Sequence, residues 1–457
     1  MKRILFFLSI FIILFLTACA PKQDMLKVDM LVGQGNYKKA ANVSEKKIVK
    51  DDLYAKNNLL WSLQSGGSHL YANEDNTSIK VFNDSENIIK YYSNQILAKN
   101  ITQTFTSTLI NDTTRPYIGT QYDGIMLNTY KAIAYMALQD KDGARVEFNR
   151  AIDRQRRAKI FFNEMIAKEY LAIEKERKKD GKNFKVNELD KNSLIRQQYP
   201  SLYAYKPYPN FINPTTTYLA GLFAKADGAD SKANSLLKEA FGMMKENKSV
   251  KMDLEEDIIE PTVWLIFENG QAPFLQEWRI DFPIWIFTNK LSYISVALPK
   301  LVLRKKAYNY LNITNDTNNT LQTTFLSSMD RVIQTEFEKN YDAIVNRAIL
   351  STATKAAINY TIQEQTNNNN SSLAAFISIA SAIYQIASTQ ADTRSWTTLP
   401  KEFQLARFTR PKNGNIKITT PTNILIKNIN IPQTKHTLIY VKIATANAKA
   451  SVKVIPF

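Results

Sequence analysis

Two stretches of the chain place a small residue, a bulky one four positions on, and a small one three further. Ala144, Phe148 and Ala151 form one set; Ala233, Leu237 and Ala240 form the other. At helical spacing the three positions share one face. Alanine there lets a second helix come close, and the bulky side chain fills the groove between them. The spacing therefore predicts pairs of antiparallel helices. Gly221 and Gly228 stand where such a pair needs a close approach and a turn. A third stretch, Gly35-Asn36-Tyr37-Lys38-Lys39-Ala40, matches only the turn and the start of a second helix.

This pattern is similar to the tetratricopeptide repeat, a two-helix unit. Ala144 and Ala233 lie 89 residues apart, well over the usual repeat length of about 34, so the array is irregular. The alternative is a plain helical bundle. Residues 19–260 are expected to be this helical domain. Gly66-Gly67-Ser68-His69 reads as a loop between repeat helices; it lacks the lysine and the preceding strand of a phosphate-binding loop. Between repeats runs Tyr199 to Pro209, rich in tyrosine and proline. Proline keeps it from being a helix. It reads as a strap capping the repeats, with Tyr203, Tyr205 and Tyr208 as the candidate partner-binding side chains, since tyrosine is enriched at binding hot spots.

From residue 261 the pattern changes, and a mixed α+β domain is expected over 261–457. Strands are predicted within 262–303, beginning with β-branched and aromatic Thr262 to Phe267. Asn269-Gly270 then reads as a hairpin turn, with Glu277 to Ile280 as the return strand. Helices are predicted within 327–391. The first carries Ile333, Phe337, Tyr341, Ile344 and Ala348 as an apolar stripe. The second, Leu373 to Ala387, sits in a stretch without charge and is read as a buried centre. Short antiparallel strands follow within 415–456, where Ile416/Ile418, Ile424/Ile426, Leu438/Tyr440 and Val452/Val454 alternate. The fold class is α+β, mainly α.

The chain carries one Cys and two His in 457 residues. That excludes a disulfide framework and a Cys-based zinc site, and His69 and His436 lie far apart. No metal, cofactor or catalytic residue is expected. G-x-S-x-G, H-E-x-x-H and phosphate-loop motifs are missing. A glycosidase needs only two carboxylates, but Glu255-Glu256-Asp257 reads as a charged turn and Glu336/Glu338 as the polar side of a helix. Neither pair suggests an enzyme.

The amino end sets the location. Lys2 and Arg3 precede 12 apolar residues within Ile4 to Leu16, then Leu16-Thr17-Ala18-Cys19. A membrane span needs about 20 apolar residues, so 1–18 reads as a secretory signal. The segment resembles a bacterial lipobox, with Cys19 as the lipid acceptor; the implied modification is a diacylglycerol thioether and an N-acyl chain such as palmitate. Ala20 follows where, in lipoproteins this resembles, Asp favours inner-membrane retention. The outer membrane, periplasmic face, is expected. Lys and Arg number 59 against 42 Asp and Glu, a net charge of +17. Outside the cytoplasm this charge has no nucleic acid to meet; acidic envelope lipids, wall carboxylates and acidic proteins are the plausible partners. Two acceptor sequences of the form D/E-x-N-x-S/T occur in polar, loop-like stretches, at Asn76 and Asn318. They resemble the acceptor of bacterial periplasmic N-glycosylation and are candidate glycosylation sites.

Several blocks resemble a family of largely uncharacterised bacterial lipoproteins with tetratricopeptide-like repeats. They are Tyr130-Lys131-Ala132, Ala144 to Ala151, Asn213-Pro214 with Tyr218 to Gly221, Glu268 to Pro273, and Ala391 to Pro400. The last is the most specific, although Thr393 replaces a bulky aliphatic residue. Its residues suggest a bridge with Trp396 as packing anchor and Arg394 pairing with Asp392. Such genes often lie beside a lipoprotein resembling activators of penicillin-binding proteins. The resemblance implies a place near wall synthesis and brings no catalytic residues. The expected function is a non-catalytic interaction scaffold holding an envelope protein, such as another lipoprotein. The alternative is a binder of peptidoglycan or acidic glycolipid.

Overall fold

The computed structural model describes residues 20–97, 115–179, 184–185, 188–203, 208, 211–286, 290–367, 390–433 and 436–457. Signal residues 1–18, Cys19, Tyr205 and the second predicted helix, Leu373 to Ala387, lie outside these residues. The chain is α+β and mainly α, with helices first and antiparallel strands toward the carboxyl end.

Among the described residues, four helical hairpins share one turn. They pair α1 (Ala20–Gly33) with α2 (Tyr37–Glu45), α3 (Asn58–Tyr71) with α4 (Asp75–Leu97), and α5 (Gln121–Ala137) with α6 (Lys141–Lys179). The fourth follows α7 (Glu188–Gln198) and joins α8 (Pro214–Ala226) to α9 (Asp230–Met243). Each first helix ends on a left-handed residue: Gly35, Asn73, Gln139 or Gly228, with φ of 75, 61, 62 and 76°. The next amide reaches back to close the turn: Asn36 to the Leu31 carbonyl at 2.8 Å, Glu74 to His69 at 3.0 Å, Asp140 to Tyr135 at 2.9 Å and Ala229 to Ala224 at 2.8 Å. This backbone closure satisfies orphan carbonyls at each helix end. Ala144, Phe148, Ala151, Ala233, Leu237 and Ala240 are all buried. Phe148 and Phe223 meet at 5.3 Å between ring centroids and join the third hairpin to the fourth.

Gly66-Gly67-Ser68-His69 is not the expected loop; it lies inside α3 and is buried. A Cβ on Gly66 would sit 2.6 Å from the Phe82 ring, and one on Gly67 would sit 3.3 Å from Trp396. Two glycines weaken a helix by about 1 kcal/mol each. Here they let aromatic rings lie against the backbone, a packing reason that a composition rule for loops cannot see.

A short α10 (Lys248–Glu255) leads into the strands. The central sheet has the order β12-β11-β2-β8-β7, from β2 (Thr262–Asn269), β7 (Thr324–Ser328), β8 (Glu402–Thr409), β11 (His436–Ile443) and β12 (Ser451–Pro456). β2 runs parallel to β11 and antiparallel to β8. One face, with Trp264, Ile266, Leu405 and Tyr440, packs into the core of the helical hairpins. The other, with Val263, Leu265, Ile439 and Val441, packs on a four-stranded sheet of order β10-β9-β5-β6. That sheet comprises β5 (Asn312–Asn315), β6 (Thr320–Gln322), β9 (Asn415–Thr419) and β10 (Leu425–Asn430). Covered on both faces, β2 and β11 are buried at every position, so their sequences do not alternate.

Asn269-Gly270 does not make the expected hairpin. Gly270 turns the chain at a φ of 75°, but β2 pairs with β11 and β8 rather than with the strand that follows. The Asn269 side chain is committed elsewhere: its Nδ2 donates to the Tyr308 carbonyl at 2.6 Å and its Oδ1 accepts from Ala307 N at 2.9 Å. The following strand, β3 (Phe274–Ile286), instead pairs with β4 (Lys290–Val302) and with the two-residue β1 (Phe184–Lys185). On this ribbon lies α11 (Met329–Asn367), burying Tyr341, Val345 and Ile349 against Phe282, Val296 and Leu298.

Gly66→Val is expected to lower the urea midpoint by an overpacking cost of about 1–3 kcal/mol. Gly242→Ala, with nothing within 4 Å of its added Cβ, should raise it by about 0.5 kcal/mol. Equal effects would contradict the packing account of Gly66.

Candidate binding pocket at the junction of helices and sheet

A pocket of about 230 Å³ opens where α4, α6 and α11 meet the start of β3, the end of β4 and the chain at 392–395. Its walls are largely apolar: Tyr92, Ile96, Tyr117, Ile118, Tyr122, Met165, Leu275, Leu301, Ile333, Phe337 and Ile344. Three prolines, Pro116, Pro273 and Pro299, stiffen the rim. Three arginines and three carboxylates also line it: Arg115, Arg347, Arg394, Glu169, Glu336 and Asp392.

These charges are committed to the protein itself. Arg394 grips Asp392 with two bonds, Nε to Oδ1 at 2.8 Å and Nη2 to Oδ2 at 2.6 Å. Its Nη1 donates to Asn57 Oδ1 at 2.8 Å and to the Arg115 carbonyl at 2.9 Å, tying the 390s segment to α3 and to the chain before α5. The expected Arg394–Asp392 pair is thus present. Trp396, 1% exposed, is the expected anchor, edge-on to Tyr130 at 5.7 Å between centroids. Arg115 lies 3.7 Å from Glu169, and Arg347 pairs with the same carboxylate.

Glu336 corrects an expectation. It is not on a solvated face but buried, its carboxylate accepting from Gln121 N at 3.0 Å on both oxygens and from Tyr122 N at 3.4 Å. These are the first amides of α5, unpaired within the helix and at its positive end. Thr120 caps the same turn and exchanges bonds with Asp123. Burial pushes the Glu336 carboxyl up to about 8; the Gln121 amide opposes the rise and the nearby Asp123 charge adds to it. Burial likewise holds Asp123 up at about 6, against the Tyr117 hydroxyl and the Thr120 amide that it accepts from. Glu336 falls three residues after Ile333 and eight before Ile344. At about 100° per residue Glu336 and Glu338 flank the apolar stripe symmetrically, so no local signal separates the buried one from the other.

The structure does not gather the sequence-predicted sites into this pocket. Tyr203 is 48% exposed, with Arg196 over its ring. Tyr208, expected with it as a partner-binding side chain, is buried: its hydroxyl accepts from Ser328 N at 3.1 Å and Arg331 lies over its ring at 3.8 Å. Tyr199 is buried too, accepting from Leu301 N at 2.8 Å. These tyrosines cap. Asn318 sits exposed in the β5–β6 turn at a φ of 58°. Asn76 is exposed, but in the first turn of α4 rather than in a loop; Ser78 of the same acceptor is buried and donates to the Gly66 carbonyl at 2.8 Å. Glu255 and Glu256 are exposed, as expected of a charged turn.

Among the described residues no cluster of His, Cys and carboxylates could hold a metal ion, and no helix is long and apolar enough to cross a membrane. A scan against protein-family models gives no match, and comparisons with curated proteins and with solved structures give none either.

The folded chain binds the Glu336 proton more tightly than the unfolded chain, so the stability it supplies is full below about 4.5 and is lost as pH rises to about 8. Asp123 and Asp330, both pushed up by burial to about 6, act in the lower part of that window. Glu336→Gln should therefore flatten the upper part. Its Tm should fall less than that of the unaltered chain between about pH 6 and pH 8. Parallel curves for the two proteins would contradict the assignment.

Proposed function

We propose that the chain is a non-catalytic interaction scaffold of the bacterial envelope. Cys19 carries the lipid that holds it at the periplasmic face of the outer membrane, and the junction pocket receives an apolar or aromatic anchor of a partner protein. The single observation that carries this reading is the pocket: concave, tyrosine-lined, and with its charged side chains already held by one another or by backbone amides. A pocket of that character gains affinity by desolvating apolar surface and has little use for a charged sugar. The Pro-stiffened rim limits the ordering cost of binding. The resemblance to envelope lipoproteins with tetratricopeptide-like repeats points to a neighbour in wall synthesis as the partner class.

Two carboxylates of the pocket could suggest hydrolysis, but each is already held: Glu336 by backbone amides and Glu169 by Arg115 and Arg347. Neither is poised on an open face where water and a glycosidic oxygen would sit between them.

The test uses living cells with a photo-reactive phenylalanine analogue at Phe337. One dominant envelope protein should crosslink, and Ile344→Arg should reduce that product at least about tenfold, as a buried charge without a partner opposes docking. Cys19→Ser should release the chain from the membrane fraction while leaving its protease resistance unchanged. Crosslinks only to wall fragments or lipopolysaccharide would overturn the scaffold reading; membrane retention of Cys19→Ser would overturn the anchor.

A further inference from the structure

A second concavity, about 870 Å³, lies between the α1–α2 turn, β10 and the β11–β12 turn. Its construction differs in kind. β10 ends the four-stranded sheet, paired on one side with β9 and bordered by no further strand among the described residues. An edge strand offers a row of backbone N–H and C=O groups for pairing. Ile424 and Leu425 stand at the start of that edge and are 58% and 52% exposed. Val452, at the head of β12, faces the same groove. Beyond this point the β12 edge is occupied by helices: Lys453 bonds to Asp75 at 2.8 Å, and Gln139 donates to the Pro456 carbonyl at 2.9 Å.

Four lysines rim the groove: Lys38, Lys39, Lys427 and Lys449. Lys38 pairs with Glu74. Among the described residues no ion pair joins Lys39, Lys427 or Lys449 to a carboxylate, and all three are exposed. The rim is held in place. Lys449 N donates to the Gln34 carbonyl at 3.4 Å and Thr445 Oγ1 to the Gly33 carbonyl at 2.6 Å. Gly35 permits this docking, because a Cβ there would collide with the Lys449 backbone.

We propose that this groove binds an extended acidic segment of a partner protein by strand addition to β10. Backbone pairing with the edge supplies affinity, Ile424, Leu425 and Val452 receive alternate apolar side chains, and the lysines receive the acidic ones between them. A second copy of this chain is the wrong occupant, because edge-to-edge pairing would bring Lys427 of each copy toward the other. An acidic glycan satisfies the lysines but leaves the apolar edge uncovered. This inference uses neither the junction pocket nor the lipid, so it stands or falls apart from the proposed function.

The probe is a fluorescein-labelled peptide of alternating valine and glutamate, titrated with the purified full chain and read by anisotropy. Binding should be saturable. The double variant Lys427→Glu, Lys449→Glu should weaken it at least tenfold. N-methylation of alternate peptide nitrogens should remove it in one of the two registers, a readout that needs no protein variant. The proposal is overturned if a valine–lysine peptide binds equally, if both N-methylated peptides bind undiminished, or if only lipopolysaccharide or muropeptide binds.

Discussion

Lys442 and Glu268 are both fully buried, with Nζ and Oε2 3.7 Å apart. The parallel register of β11 on β2 places the two residues directly opposite each other. Taking each charge out of water costs several kcal/mol, which hydrogen bonds from other groups offset in part, while Glu268 Oε2 has only the lysine beside it. Those groups come from both halves of the chain. Tyr130 of α5 donates to Glu268 Oε1 at 2.8 Å, and Tyr440 of β11 donates to the same oxygen. Tyr71 of α3 meets the Tyr130 hydroxyl at 2.7 Å. Lys442 donates to the Gly270 carbonyl at 2.9 Å and lies 5.2 Å from the Tyr71 ring. Burial holds the lysine down at about 8 despite the attraction of Glu268. The helical hairpins and the central sheet are therefore joined by a buried polar centre, and around it one apolar core runs from Val28 to Ile455.

Both concave surfaces follow from that union. The junction pocket has one wall from the helices, one from α11 and a floor from the β3–β4 ribbon, so no half of the chain could form it alone. Arg394 fastens the walls together through Asn57 and Arg115. The lysine-rimmed groove likewise needs the α1–α2 turn seated on the β11–β12 turn. On the proposed scaffold reading, two sites built into one core favour partners that dock without reorganising it.

Much of the architecture was readable from local pattern. The small-bulky-small spacing located the third and fourth hairpins, and Gly35 located the first. The second was missed because Asn73 rather than glycine supplies its left-handed turn, and because Gly66-Gly67 looked like a loop while serving as a seat for Phe82 and Trp396. Sheet order was beyond local signals. The Asn-Gly signal at 269–270 speaks only for its own turn, whereas β2 finds its partners over 100 residues away. At the pocket, the Arg394–Asp392 pair is legible because its members are close in sequence, and Trp396 because so large an apolar side chain marks an anchor whatever it packs on. Glu336 is not, since its burial depends on the first turn of α5, 215 residues distant. Tyr208 reads as available for partners because tyrosine is enriched at binding hot spots; Ser328 and Arg331 instead hold it in place.

The account's central claim is that helices and sheet form one cooperative unit through the Lys442–Glu268 centre. Hydrogen exchange of the Lys442→Met chain, followed by mass spectrometry, tests it most directly. Leaving Glu268 buried without its cation should cost about 3–5 kcal/mol, and protection should fall together in α3, α5, β2 and β11. Loss confined to the strands, with the hairpins as protected as before, would show two independent modules and contradict the account.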